Sequence, residues 1–322
     1  MRLSLLDRSR TRAGEPDALA LRHTVDRAVR AEAAGFHRFW VAEHHAVPGV
    51  ASGSPPLLVA TIGSATSRIR IGSGGVMLPL HQPLVVAEQF LMLQALHPGR
   101  VDLGIGRSLG FTPPVRRALR RESDEPDTFR EDLQELRSYL DGEAEVTARP
   151  SVAGGVPVFV LATGRGVRLA AELGLPVVVG GPVLDADELP DMLAEYRRSF
   201  QPAGADRATV VVSVDVLVAD DEATARRLAL PEAWASAQAR RTGSFPPLES
   251  PDDIETADWG EQVRRRVEEG VGRTIAGTAA TVRCRLERLV ERSGADGLMA
   301  SSSTFDLDAL HASDRMLHDV VG

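Results

Sequence analysis

The chain has 322 residues, 43% of them hydrophobic and 25% charged, with a formal net charge of -8 at neutral pH. Such a composition suits a globular protein of one large or two smaller domains, and its acidic balance argues against nucleic acid as a partner, because phosphate neutralisation needs a basic face. All 37 basic side chains are arginine. Without lysine, a Schiff-base nucleophile, a pyridoxal phosphate anchor and a P-loop lysine are all excluded, and any phosphate must be held by arginine, hydroxyls or backbone N–H groups.

No apolar run approaches the ~20 residues of a membrane span, and the opening MRLSLLDRSRTR is too charged for a secretion signal, so a cytoplasmic protein is expected. The single cysteine, Cys284, sits at helical spacing in TVRCRLERLV and reads as a structural thiol, not a nucleophile.

In chain order, RLSLLD at 2–7 reads as a strand and 16–34 as an amphipathic helix. RFWVAE at 38–43 is a second strand, followed by a helix with Ser54 at its N-cap and Pro55 in its first turn. IRIGSGGVML at 69–78 is the third strand, and Pro83 opens a helix that the HPG after Leu96 stops. VDLGIG at 101–106 is the fourth strand, and a long polar helix follows at roughly 124–140. The second half repeats the alternation, with strands near 156–162, 175–181, 209–219 and 297–303 and a closing helix at 306–320. Continuous apolar runs such as VFVL and PVVV suit parallel strands covered on both faces.

One segment breaks the rhythm. From about 240 to 277 the chain is rich in proline, glycine and acid and reads as an insertion before a helix at 278–293, serving as a mobile lid or a long surface loop. The expected fold is a single (β/α)8 TIM barrel spanning 1–322, with that insertion between strands 7 and 8. A doubly wound open sheet is the rival, but LLDRSRTRAG after the first strand has no GxGxxG turn.

Barrel chemistry sits at the C-terminal strand ends. The second strand delivers Glu43, His44 and His45 there. They could be a polar strand end tied to helix caps, or an acid, base or hydrogen-bonding site, since an imidazole near its usual pKa serves either role. No metal site is expected, because adjacent histidines point oppositely from an extended chain and no HxH or HExxH occurs. The three glycines of GSGGV at 72–76 mark either a tight barrel corner or close approach of a ligand to Ser73 and Gly74. Arg107 after the fourth strand is a fork donor suited to phosphate. Thr163, Gly164, Arg165 and Gly166 precede a helix whose free N–H groups favour an anion.

Taken together, WVAEHH at 40–45, ATSRIRIGSGGVMLP at 65–79, PLVVAEQF at 83–90, LHPGRVDLGIGRS at 96–108, LAAELGLP at 169–176 and ADGLM at 295–299 resemble the luciferase-like monooxygenases. These are the flavin-dependent barrels of the bacterial luciferase superfamily, and the likeness is greatest to the subgroup using reduced FMN and O2. By position, the resemblance implies that His44 stands beside the reactive edge of the flavin, stabilising its oxygen adduct or moving a proton, with Glu43 and His45 in support. It further implies that Ser73 and Gly74 match a non-prolyl cis peptide beneath the flavin ring. Arg107, the backbone near Leu109, and Thr163 with Gly164, Arg165 and Gly166 match the phosphate-binding strand ends. The implied partners are O2, a small organic substrate, a separate reductase supplying FMNH2, and a second copy of the chain, with Glu88 near the dimer interface.

The sequence departs from that subgroup at LATGRGV, where a further serine is usual, and at VVGGPV, where relatives carry aromatic or histidine residues. Arg165 would replace the lost hydroxyls with a stronger, less directional contact. Because of these departures, the deazaflavin F420, which the superfamily binds in the same barrel for hydride transfer, and a non-catalytic flavin-binding role stand as alternatives.

Overall fold

Strand and helix alternate from one end of the chain to the other, and the alternation closes on itself. In the computed structural model, which describes residues 1–110, 112–121, 127–203 and 205–322, the first half comprises β1 (Arg2–Asp7), α1 (Asp17–Ala34), β2 (Arg38–Val41), α2 (Pro55–Ala65), β3 (Arg70–Met77), α3 (Pro83–Leu96), β4 (Val101–Gly106), a short α4 (Pro113–Ala118) and α5 (Phe129–Asp141). Then follow β5 (Val158–Ala162), α6 (Arg165–Glu172), β6 (Val177–Gly180), α7 (Leu189–Ser199), β7 (Val210–Val214), β8 (Val216–Val218) and α8 (Glu222–Thr242). The chain ends with α9 (Pro251–Thr256), α10 (Glu261–Arg273), β9 (Ile275–Gly277), α11 (Ala279–Ser293), β10 (Gly297–Ala300) and α12 (Leu307–Val321).

Parallel strands close into a barrel in the order β1-β10-β7-β6-β5-β4-β3-β2, the expected (β/α)8 architecture. Alternate side chains divide between two cores. Outward residues such as Leu5, Phe39, Ile71, Leu103 and Val177 pack under the helices, whereas Leu6, Trp40, Phe159, Val178, Val211 and Met299 fill the interior. Below them, buried Asp102 accepts from Arg38 Nε at 2.8 Å, Arg70 Nε at 3.1 Å and Trp40 Nε1 at 3.3 Å.

The glycine-rich run is explained largely by this packing. A Cβ on Gly74 would lie 2.5 Å from Leu6 Cδ1 and 3.2 Å from Trp40 Cε3, and one on Gly72 would lie 2.8 Å from Trp40 Nε1. The close neighbours at these glycines are therefore the barrel's own atoms: the Asp102 carbonyl, at 2.4 Å from a Cβ on Gly72, the Leu6 side chain and the Trp40 indole. Pairing of β3 with β4 shifts register between Ser73 and Val76, and the peptide bond between Gly74 and Gly75 is cis.

Three boundaries differ from expectation. The apolar run at 209–219 is two strands, because after Asp215 the chain leaves the barrel and β8 pairs in parallel with β9. The segment at 240–277 is not a loop: α8 runs on to Thr242, and α10 packs on it around Leu230, Ala233, Trp234, Ile254, Val267 and Val271. The polar helix expected from 124 is described from Phe129, residues 122–126 lying outside the described set. Ser54 does occupy the N-cap of α2, but its side chain makes no capping hydrogen bond.

Candidate active site

The strand ends bring Glu43, His45 and a residue the sequence did not single out, His81, into one cluster. His45 Nε2 lies 2.6 Å and His81 Nε2 2.7 Å from the same oxygen, Glu43 Oε1, while Glu43 Oε2 accepts from the Met77 N–H at 2.8 Å. His81 arrives because the chain turns tightly over Leu78–Leu80 directly after β3. Burial of Glu43 works to raise its pKa, but the bonds from His45 and His81 and the Met77 N–H outweigh it and hold the carboxyl at about 2. Glu43 is therefore an anion at neutral pH, and both Nε2–H groups donate to it. The three donor atoms lie within 4.8 Å of one another, so among the described residues this is also where a metal ion could be held.

His44 points away from that cluster, as adjacent residues leaving a strand do. The ring is half-buried, with Nδ1 shielded from solvent, and its backbone is fixed by a bond from His44 N to Ser52 O at 2.9 Å. Burial, followed by the nearby Arg8 and Arg10 guanidinium groups, pushes its pKa down to about 4. The imidazole is thus neutral at pH 7, able to donate at one nitrogen and accept at the other.

Arg8 and Arg10 belong to a charged network that sequence reasoning missed. Arg8 Nη2 lies 3.0 Å from Asp215, at the point where β7 gives way to β8, and Nη1 lies 3.4 Å from Glu232 of α8. Arg10 Nε donates to Glu232 at 2.9 Å, and Arg10 Nη1 donates to Gly49 O at 2.6 Å. Burial opposes the ionisation of Glu232, yet Arg8 and Arg10 keep its pKa below the ordinary value. The only trace of this network in the sequence is the run RSRTR, whose basic residues recur at every second position after β1.

On the neighbouring strand ends, Arg107 is exposed and pairs with Asp127, its Nε lying 3.2 Å from Oδ1. Leu109 and Gly110 follow, half-buried, in the loop. Thr163, Gly164 and Arg165 lie exposed after β5, which pairs directly with β4. Gly164 is the N-cap of α6, with a φ of 60° and open space around its α-carbon. The N–H groups of Arg165 and Gly166 open the helix with no intrahelical acceptor. Cationic, hydroxyl and free N–H donors on two adjacent strand ends fit a phosphate monoester, provided Arg107 exchanges Asp127 for it.

Ser73 stands one residue before the non-prolyl cis bond, which joins Gly74 and Gly75. It is fully buried, donates to Gly104 O at 2.9 Å and accepts from Gly104 N at 3.0 Å. Its hydroxyl bridges β3 and β4 where their register shifts and is not presented to a ligand. Gly74 serves the interior packing described above.

Beyond the mouth, a groove of about 990 Å³ runs from Arg8, Ser213 and Ser301 outward between the end of β6 and helices α8, α10 and α11.

The model of the family described as luciferase-like monooxygenase matches residues 1–297. A luciferase-like monooxygenase of Escherichia coli K12 is 33% identical over 330 residues, covering 98% of this chain and 96% of that protein. Among solved structures, apo-MsnO8 is 32% identical with a TM-score of 0.89, covering 99% of this chain and 98% of that one. The oxygenating constituent of 3,6-diketocamphane monooxygenase from Pseudomonas putida, in complex with FMN, shares the fold at 20% identity and a TM-score of 0.72 over 99% of this chain and 96% of that one. An F420-dependent secondary alcohol dehydrogenase does so at 17% and 0.68, over 99% of this chain and 97% of that one.

Proposed function

The chain belongs to the luciferase-like monooxygenase family, and on that premise we propose that this oxidoreductase is the oxygenating half of a two-component system. It would take reduced FMN from a separate flavin reductase and use O2 to oxygenate a small organic substrate, possession of a natural-product substrate being one form of that chemistry. The observation that carries the reading is the neutral, half-buried His44 at the same barrel mouth as a phosphate-fitting pair of strand ends. Arg107, Thr163, Arg165 and the Gly164–Gly166 backbone, with the loop at Leu109, would hold the FMN phosphate.

Bound reduced flavin supplies the two electrons that let O2 deliver one oxygen atom to a substrate. The chain's own residues set the surroundings. His44, kept neutral by burial and by Arg8 and Arg10, can donate or accept a hydrogen bond at the reacting face without adding a further cation to those two. Glu43 fixes the rings of His45 and His81, so the wall of the mouth stays in one arrangement. Enclosure by α8 and α10 would keep water from the reduced, oxygen-reactive cofactor.

A homodimer is part of this reading. Leu57 of α2 and Val85, Met92 and Leu96 of α3 are exposed, and a neighbouring groove of about 660 Å³ is lined by Leu21, Val25, Leu57 and Leu58. Glu88 lies on α3 and accepts from the Arg149 N–H at 3.3 Å. No helix among the described residues is long and apolar enough to cross a membrane, and we place the enzyme in the cytoplasm.

Anaerobic titration with FMNH2 and with reduced F420, followed by rapid mixing with oxygenated buffer, tests the proposal. FMNH2 should bind, reoxidise more slowly than in free solution, and lose that protection in His44→Ala. Tight binding of reduced F420 alone would replace oxygenation with hydride transfer. Flavin binding and behaviour indifferent to His44→Ala would point to a non-catalytic flavin carrier.

A further inference from the structure

We propose that the groove between α8, α10 and α11 binds a small molecule carrying a carboxylate, sulfonate or phosphate group, and that this anion is part of the substrate. The second statement rests on the function proposed above. The chain as a whole is acidic, at -8, yet the groove is lined by Arg8, Arg240, Arg273, Arg285, Arg288 and Arg292 against the carboxylates of Asp185, Asp215 and Glu232.

That charge is unevenly spread. At the inner end Arg8 is matched by Asp215 and Glu232, and Glu232 also takes Arg10, so the cations beside His44 are already neutralised. At the outer end five arginines share the lining with one carboxylate, Asp185, and of the five Arg285 also lies within electrostatic reach of Glu222 outside the lining. The side chains of Arg240, Arg273 and Arg288, which lie on α8, α10 and α11, make no hydrogen bond or ion pair with any described residue. Arg285 donates to Thr274 O at 3.0 Å and Gly272 O at 3.2 Å, and Arg292 donates to Ala186 O at 2.8 Å. Those carbonyls fix the two guanidinium groups and carry no formal charge to set against them, Glu222 being the carboxylate in electrostatic reach of Arg285.

Helix geometry reinforces the point. Arg285, Arg288 and Arg292 stand three and four residues apart on α11, so like charges occupy one face, an arrangement unfavourable in the absence of a counter-ion. Ala233, Phe245, Ile275 and Leu289 supply apolar wall between the two ends. A ligand with an apolar body and one anionic end matches this lining, its body directed inward and its anion outward. The groove is distinct from the place for a flavin phosphate, because the ends of β4 and β5 lie on the far side of β6 in the barrel order.

The test uses the full chain and two fluorescent probes of similar size, the anionic 8-anilinonaphthalene-1-sulfonate and the neutral N-phenyl-1-naphthylamine. Titrations compare the unaltered protein with an Arg273→Gln/Arg288→Gln variant, whose exposed substitutions leave the core intact, circular dichroism checking the fold. The variant should bind the sulfonate about tenfold more weakly or worse, as loss of charge-assisted bonds implies, while the neutral probe changes by less than about twofold. Saturating FMN should leave sulfonate affinity unchanged. Equal sulfonate binding by both proteins, parallel loss of both probes, or competitive displacement by FMN would each overturn the proposal. If reduced FMN never binds but sulfonate binding keeps its arginine dependence, the anion site stands and only the flavin reading falls.

Discussion

Replacing Glu43 by glutamine removes one negative charge from a site that exists to accept hydrogen bonds. The side chain is 1% exposed and receives three donors, from His45, His81 and the Met77 N–H. A glutamine has the same shape but offers one acceptor oxygen and an NH2, which must face at least one of those donors. The magnitude can be worked from the carboxyl's pKa, held at about 2 against an ordinary 4.5. At about 1.4 kcal/mol per pH unit, that displacement is worth about 3 kcal/mol of folding stability, within reach of one or two charge-assisted bonds lost from a buried acceptor. A folded-state pKa below the unfolded one means the contribution is complete above pH 4.5 and fades as pH falls toward 2. Urea unfolding of both proteins at pH 7, 5, 4 and 3 should therefore show a gap of about 3 kcal/mol at the upper two values that narrows at the lower two. A gap under about 1 kcal/mol at pH 7, or one that stays constant down to pH 3, would refute the argument that Glu43 is a buried anion stabilised by its donors.

The same cluster predicts that His81→Ala costs about 1–3 kcal/mol in urea unfolding, because it withdraws one donor from a buried carboxylate. Asp102→Ala leaves Arg38 and Arg70 without their shared counter-ion under the barrel and should cost about 3–5 kcal/mol, measurable by the same method. Gly74→Ala should lower stability by about 1–3 kcal/mol through overpacking against Leu6 and Trp40, whereas Gly106→Ala, whose Cβ would meet nothing nearer than Val76 O at 3.8 Å, should leave thermal unfolding unchanged. Asp127→Asn frees Arg107 and should tighten FMN binding in equilibrium titration, while Arg107→Gln should weaken it about tenfold.

Much of the barrel can be read from local pattern because a parallel strand under helices is a continuous apolar run, and such runs name their own positions. Helix α3 begins and ends where Pro83 and the HPG after Leu96 place it. His44 and its neighbours are legible for a similar reason: they stand together in sequence directly after a strand. Long-range pairings are not. His81 meets Glu43 across 38 positions, and Arg10 meets Glu232 across 222. No spacing rule connects them. The glycines of β3 announced close neighbours but could not say which, and the answers, the Asp102 and Gly104 carbonyls of β4, Leu6 of β1 and the Trp40 indole of β2, all lie on other strands. Only Asp215, a lone acid amid the apolar run at 209–219, hinted that one expected strand was two.

That division has a mechanical meaning. The wall strand β7 continues through a single residue into β8, whose three pairs, Val216 with Ile275, Leu217 with Ala276 and Val218 with Gly277, moor the far end of the excursion. The span between Arg8 and the arginines of α10 and α11 is therefore counted out in β-residues. Slipping that ladder by one position would carry Arg273 about 3.3 Å along the wall and turn Ile275 out of its packing. Such a ladder acts as a ruler, permitting discrete groove lengths and resisting intermediate ones, so relatives that accept longer or shorter molecules would be expected to differ by whole residues around 274–278.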